Sequence, residues 1–171
     1  MKLLLPPTVI LLLASLAAGQ EVTNPKYEAW KNFKEGAMVR FTGSTKTMGM
    51  ETGIEIRRTL VSKSADKVVI DEETWISVGE NKKNESRTRK EIAAKVAKEL
   101  VPAAAGTESV TVAGKTFNCQ FFDLIDSTDG LKMGVREWTT DQVPGGSVKI
   151  ECRTEGSVAS DTRLALQEYK E

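Results

Sequence analysis

The 171-residue sequence has no histidine, and this absence removes several kinds of chemistry. Histidine is the usual general base near neutral pH, the common partner of a nucleophilic serine or cysteine, and the commonest protein ligand of transition metals. A phosphate-binding loop is also missing, because the stretch 43–47 has no second glycine directly before its lysine. Asp123, Asp126 and Asp129 recur at every third position, whereas a calcium loop carries its ligands at alternate positions.

These absences predict a protein that is not an enzyme and that has no cofactor, no metal site and no catalytic residue. A pair of carboxylates on distant strands, as in glycoside hydrolysis, is a catalytic alternative that the sequence leaves open. Charge of one sign is not in excess, since 24 lysine and arginine residues balance 24 aspartate and glutamate residues. A nucleic-acid partner would require a basic face, so we expect none.

The N-terminal segment has the features of a secretory signal peptide. A positive charge at Lys2 precedes an apolar run from Val9 onward, and the small residues Ala17 and Gly19 mark a cleavage site after Gly19. The run is shorter than the roughly 20 apolar residues of a transmembrane helix. We therefore predict a signal peptide over 1–19.

The remainder, 20–171, is predicted to form a single β-rich domain. Gln20 stands where a bacterial lipoprotein would carry its lipidated cysteine, so we expect no acyl anchor. No second apolar segment is long enough to cross a membrane, and we expect no transmembrane segment once the signal is removed. The predicted location is periplasmic or secreted.

Alternation of apolar and polar residues dominates this domain. The alternating apolar positions are Val39, Phe41, Ile54, Ile56, Val68, Ile70, Ile76, Val78, Leu131, Met133, Val135, Val148, Ile150, Cys152, Leu164 and Leu166. Such a period of two indicates half-buried antiparallel strands, since parallel strands would read as continuous apolar runs. We predict a mainly β fold, a strongly curved antiparallel sheet or an open barrel with one or two short helices.

The first helix is predicted directly after the signal peptide. Asn24 is a good capping residue and Pro25 suits the first helical position. Three aromatic residues then follow at a spacing of three: Tyr27, Trp30 and Phe33. Gly36 ends the segment. We interpret the aromatic side as packing on the core, with a plug or lid over a ligand cavity as the alternative.

The segment 81–105 is open to two interpretations. Ile92, Val96 and Leu100 recur every four residues, which favours a short amphipathic helix over 90–100. An extended segment is the alternative, because such a helix has few turns and no clear cap. The basic residues between 82 and 90 are interleaved with glutamates, which indicates a solvated loop rather than an anion site.

Two turns organise the C-terminal half. Ala113-Gly114 predicts a tight hairpin, and Pro144 followed by Gly145-Gly146 predicts a turn with a positive backbone angle at one of the two glycines. Folding the strands back about the second turn brings Val135 near Cys152. By alternation, Trp138 then lies on the opposite face from Val135.

The two cysteines are predicted to be free, although an exported protein favours a disulfide. Cys119 and Cys152 have opposite parity relative to the apolar face, and one strand lies between theirs. Strands two apart are about 9.5 Å from each other, beyond the limit of about 7 Å between bridged α-carbons. We expect Cys152 in the apolar core and Cys119 on the more accessible face. One bulge or a closed barrel would permit the alternative, a disulfide.

The C-terminal half resembles small exported bacterial β-rich proteins of uncharacterised function. Their pattern V-x-G-K-x-[FY]-x-C corresponds to Val112–Cys119, and W-x5-P-G-G-x-V-K corresponds to Trp138–Lys149. More distantly, the order of helix, long antiparallel sheet, middle segment and Trp-to-Pro turn is similar to the periplasmic lipoprotein-carrier superfamily (LolA- and LppX-like). That resemblance implies a curved sheet that holds lipid or acyl chains, without assigning any binding residue.

These inferences together predict a non-catalytic exported protein that binds a lipid or other apolar ligand in a curved antiparallel sheet. The alternative is a structural or interaction module of the cell envelope, with a core filled by its own side chains and an envelope protein as its partner. The binding residues are unknown at this point.

Overall fold

The computed structural model describes residues 20–78, 81–128, 131–156 and 159–171, so the signal peptide predicted over 1–19 lies outside the described residues. The elements in chain order are β1 (Glu21–Thr23), α1 (Pro25–Lys31), β2 (Met38–Thr47), β3 (Met50–Lys63), β4 (Lys67–Val78), β5 (Asn81–Ala93), β6 (Lys95–Ala97), β7 (Gly106–Val112), β8 (Lys115–Thr128), β9 (Leu131–Thr139), β10 (Ser147–Glu155) and β11 (Ser160–Lys170). A single 3-10 turn, Lys98–Leu100, follows β6. Within these ranges, no helix is long and apolar enough to span a bilayer.

Nine strands form one antiparallel sheet in the order β5-β4-β3-β2-β11-β10-β9-β8-β7, while β1 and β6 pair separately. The mainly β, antiparallel prediction is confirmed. The strong curvature expected of the sheet or open barrel is wrong, because the sheet is not strongly curled. Alternation determines which residues share a face, but closure depends on strand tilt and stagger, which alternation does not encode.

Two-residue turns connect β2 with β3 and β7 with β8. Met48 and Gly49 have φ angles of 51° and 80°, and Ala113 and Gly114 have φ angles of 50° and 73°. Positive φ at both central residues is the geometry whose twist matches the flanking strands. The tight hairpin predicted at Ala113-Gly114 is therefore confirmed.

The sheet has two chemically different faces. Successive side chains of a strand point to opposite sides, so the register assigns residues to faces. On one side Phe41 stands opposite Ile56 of β3 and Leu166 of β11, and we call this the apolar face. On the other side Arg57 stands opposite Glu73 of β4, and we call this the charged face.

Helix α1 and the loop between β9 and β10 cover one end of the apolar face. The Tyr27 hydroxyl donates a hydrogen bond to the Ser64 carbonyl at 2.8 Å. The Gly145 amide donates to the Ala29 carbonyl at 2.9 Å, which ties the loop to the helix. Tyr27 and Trp30 are buried against a core that includes Val39, Phe41, Leu60, Val68, Ile70, Val143, Val148, Leu164 and Leu166.

The predicted first helix is confirmed, with an earlier end. The Asn24 side chain accepts a hydrogen bond from the Lys26 amide at 3.0 Å, and Pro25 occupies the first turn. The helix stops at Lys31, so Phe33 lies beyond it.

The segment 81–97 consists of the strands β5 and β6, and only the 3-10 turn Lys98–Leu100 follows, so the helix predicted over 90–100 is wrong. Its first part is the edge strand β5, where Ile92 stands opposite Val68 of β4. Pairing along β4 supplies a full ladder of backbone hydrogen bonds, which outweighs the weak helical pattern. The basic residues between 82 and 90 accordingly lie in a strand and not in a loop.

The loop around Pro144 has the predicted turn. The Gly146 amide donates to the Val143 carbonyl at 3.0 Å, and both Gly145 and Gly146 have positive φ angles, 74° and 78°. Pro144 thus occupies the second position of a turn whose third position is left-handed, which characterises a type II turn.

The pairing predicted from this turn is confirmed. Val135 is paired with Cys152. Trp138 is paired with Lys149 and lies on the other face of the sheet from Val135. A register shift between Ser147 and Lys149 places the irregularity in β10, so alternation along β9 is preserved.

Both cysteines are free, as predicted, but their predicted accessibilities are wrong. Cys119 is only 2% exposed, whereas Cys152 is half-buried. The first residues of β8 extend past the end of β9 and reach β11, where the Phe117 and Tyr169 rings are 6.5 Å apart. Cys119 belongs to the buried core cluster together with Phe117 and Trp138, so its face is the buried one at this corner of the sheet.

Candidate apolar ligand surface

The apolar face changes from covered to open along the strands. Ile54, Ile56 and Ile150 are half-buried and pack against the edge of the core. Farther from α1, Ile76 is 37% exposed and Val78 is 54% exposed. Alternation predicts that this face is buried in the core. Among the described residues, its outer half is instead open to solvent.

This open area extends across seven strands of the sheet, and we call it the open apolar surface. One row across β4, β3, β2, β11 and β10 consists of Ile76, Ile54, Gly43, Leu164 and Ile150. Leu164 belongs to the buried core, and the other four are half-buried or exposed. A second row across β2, β11, β10, β9 and β8 consists of Thr45, Thr162, Cys152, Val135 and Leu124. Seven strands at a spacing of about 4.8 Å give it a length of roughly 29 Å.

The polar groups in the middle of the open apolar surface are satisfied internally. The hydroxyls of Thr45 and Thr162 hydrogen-bond each other at 2.7 Å across β2 and β11. A ligand would therefore not have to satisfy them. Contiguous exposed apolar area of this kind marks ligand, membrane or protein contact sites more often than an ordinary protein surface.

A charged cluster borders the open apolar surface near α1, and we call it the border cluster. The Glu72 carboxylate accepts a hydrogen bond from Arg58 Nε at 2.7 Å and from Lys90 Nζ at 2.6 Å. Arg58 also lies over the Phe41 ring, with 5.6 Å between its guanidinium carbon and the ring centroid. Partial burial raises the pKa of Glu72, but the hydrogen bonds from Lys90 and Arg58 outweigh it and keep the pKa below its usual value.

The border cluster was missed by the sequence analysis, although a signal was present. Arg58 has the same parity as Ile54 and Ile56 in β3, and Glu72 has the same parity as Ile70 in β4. A charge in phase with buried apolar residues is a departure from alternation that points to a paired or functional group.

On the charged face, the carboxylates are paired with arginines across neighbouring strands. Asp71 accepts hydrogen bonds at 2.7 Å from both Arg87 and Arg89 of β5, and these bonds keep the pKa of Asp71 well below its usual range. Glu73 pairs with Arg57 at 2.6 Å. Most of these arginines are substantially exposed, so each pair contributes little to stability by itself.

The other residues tested in the sequence do not form a site. Asp123 pairs with Arg136 at 2.6 Å, while the Asp126 side chain and Asp129 lie outside the described residues. Over the described ranges, no three His, Cys, Asp or Glu side chains are grouped to hold a metal ion. A groove of about 600 Å³ beside β7 is lined mainly by hydroxyl, amide and carboxylate groups.

Comparison with known proteins gives no match to a family model, to a curated protein or to a solved structure. The resemblance to exported β-rich proteins and to lipoprotein carriers stays a prediction.

Proposed function

We propose that this protein is a non-catalytic exported protein that binds a lipid or other apolar ligand on the open apolar surface. The observation that carries the proposal is the contrast along one face: α1 and the Pro144 loop cover its inner half, while the outer half stays open. Removing apolar area from water stabilises a complex by about 25 cal/mol per Å² before the costs of association. A surface roughly 29 Å long suits an extended chain.

A neutral apolar fluorophore, N-phenyl-1-naphthylamine, tests the proposal on the mature chain. Two adjacent residues of β8 provide matched variants, because Leu124 lies on the apolar face and Ile125 on the opposite one. Both are exposed, 43% and 71%, so an aspartate is tolerated at either position. We expect the wild type and Ile125→Asp to bind the fluorophore and Leu124→Asp to bind it more weakly. Equal binding by both variants would place the site elsewhere.

The two free cysteines provide an internal control for the location of the ligand. Cys152 lies within the open apolar surface, and Cys119 lies on the opposite face. Saturation with dodecanol, a neutral chain, should slow the labelling of Cys152 by a thiol reagent and leave Cys119 unchanged. Equal slowing of both sites would indicate a general stabilisation of the fold rather than a bound ligand at this surface.

Native mass spectrometry of protein purified from its own cells tests for a natural ligand. A co-purifying lipid mass that is lost in Leu124→Asp and kept in Ile125→Asp would support the proposal. A clean apo mass, together with no binding of the fluorophore, would favour the alternative of an envelope structural or interaction module with a filled core.

A further inference from the structure

The polar residues around the open apolar surface are distributed asymmetrically. On the β3–β5 side, the border cluster contains two cations, Arg58 and Lys90, and one carboxylate, Glu72, so its net charge is +1. On the β9 side of the same face, Glu137 accepts a hydrogen bond from the Ser147 hydroxyl and carries a negative charge. The face thus has a positive end and a negative end.

The distance between these ends is set by the sheet. Glu137 of β9 and Arg58 of β3 are four strands apart in the sheet order, which corresponds to roughly 19 Å across the strands. The register places Glu137 level with Ile54, four residues from Arg58, which adds an offset of roughly 13 Å along the strands. The open apolar surface extends between and beyond them.

The cations of the border cluster keep capacity for a further partner. Arg58 uses Nε for Glu72, and a guanidinium has five donors in total. Lys90 has three donors, and its side chain is 45% exposed. An anionic group placed beside Ile56 would therefore meet donors and a net positive charge, without requiring the Glu72 pairs to break.

We infer that the ligand is an anionic amphiphile, with its carboxylate or phosphate head at Arg58 and Lys90 and its apolar chain directed towards β8. This inference rests on the proposed function, since it assigns the head group of the same ligand. Glu137 repels an anion at the far side, so the ligand has one orientation. Charge-assisted hydrogen bonds to the head add to the apolar contact of the chain.

Displacement of N-phenyl-1-naphthylamine by two probes of equal chain length, dodecanoate and dodecanol, tests the inference below their aggregation concentrations. We expect dodecanoate to bind the wild type more tightly, by on the order of tenfold. Lys90→Gln should abolish most of this preference, and Glu72→Gln, which raises the net charge of the border cluster, should increase it. Lys46→Gln makes the same charge change on the charged face and should leave the preference unaltered.

The outcomes separate the two proposals. If dodecanol and the fluorophore bind but dodecanoate binds no more tightly, the head-group assignment is wrong and the apolar site stands. If none of the three binds, the proposed function itself fails. If the preference for dodecanoate over dodecanol is the same in Lys90→Gln and Lys46→Gln, the assignment to the border cluster is wrong. Inorganic phosphate as competitor distinguishes a phosphate-selective head site from one for carboxylates.

Discussion

Replacement of Gly145 by alanine should destabilise the protein through two separable effects. The first is backbone strain, because Gly145 has a φ of 74° and a residue with a Cβ adopts this conformation at a cost of about 1–2 kcal/mol. The second is overlap, because the new Cβ would lie 2.7 Å from Cζ2 of the Trp30 ring. Overpacking of this kind costs about 1–3 kcal/mol, so the free energy of unfolding should fall by about 2–5 kcal/mol.

Gly146→Ala is the matched control for the strain. Its φ is 78°, but its Cβ would meet the Ala29 Cβ at 3.2 Å, a contact that a small shift relieves, and the Thr140 carbonyl oxygen at 3.5 Å, an ordinary van der Waals distance. We expect Gly146→Ala to lose about 1–2 kcal/mol. Urea denaturation followed by tryptophan fluorescence measures both variants under the same conditions.

A double-mutant cycle isolates the ring contact. Trp30→Phe removes the ring atoms nearest to the new Cβ, so the cost of Gly145→Ala measured in a Trp30→Phe background should fall to that of Gly146→Ala. Equal costs for Gly145→Ala in the two backgrounds would refute the reasoning, because the loss would then be independent of Trp30.

Three further predictions concern the thiols, the charged face and the N-terminus. A thiol reagent should label Cys152 faster than Cys119 in the native protein, because Cys119 is only 2% exposed. Burial raises the pKa of both thiols, so both should react more slowly than free cysteine in solution. Equal labelling rates in the native protein would contradict the burial of Cys119. Asp71→Asn should lower stability at pH 7. In the folded state the pKa of Asp71 is below its ordinary value of 3.8. The ionised carboxylate therefore adds to the free energy of unfolding of the wild type above pH 3.8, and this contribution is lost as the pH falls below that value. Unfolding curves of the two proteins should therefore converge towards pH 2. A difference in stability that stays the same at every pH would exclude the ionised carboxylate as its cause. The intact mass of the exported protein should correspond to a chain that begins at Gln20 and carries no lipid. An additional acyl mass would contradict this prediction.

The sequence by itself determined the local pattern of this protein. Alternation at Ile54 and Ile56 placed them on one face, and Asn24-Pro25 located the helix start. The turn at Pro144 was predicted from its proline and glycines, since few other residues adopt the required angles. These features depend on neighbours within a few residues, so they can be read directly from the chain.

The extended state of 81–93 was decided by tertiary structure. Ile92 fits a helical repeat and an alternating one equally well, and the unpaired edge of β4 selects the strand. The openness of the sheet is likewise a property of all nine strands together, because small staggers and bulges accumulate across it.

Tertiary structure also decided which face is buried at each place. Parity correctly put Cys119 and Cys152 on opposite faces, yet the predicted burial was inverted. The first residues of β8 reach β11, and Cys119 lies in the buried core cluster, while the outer half of the apolar face, with Cys152, stays open. Alternation specifies only the side of a strand on which a residue lies. Whether another element covers that side depends on contacts between residues far apart in the chain, which a local period does not contain.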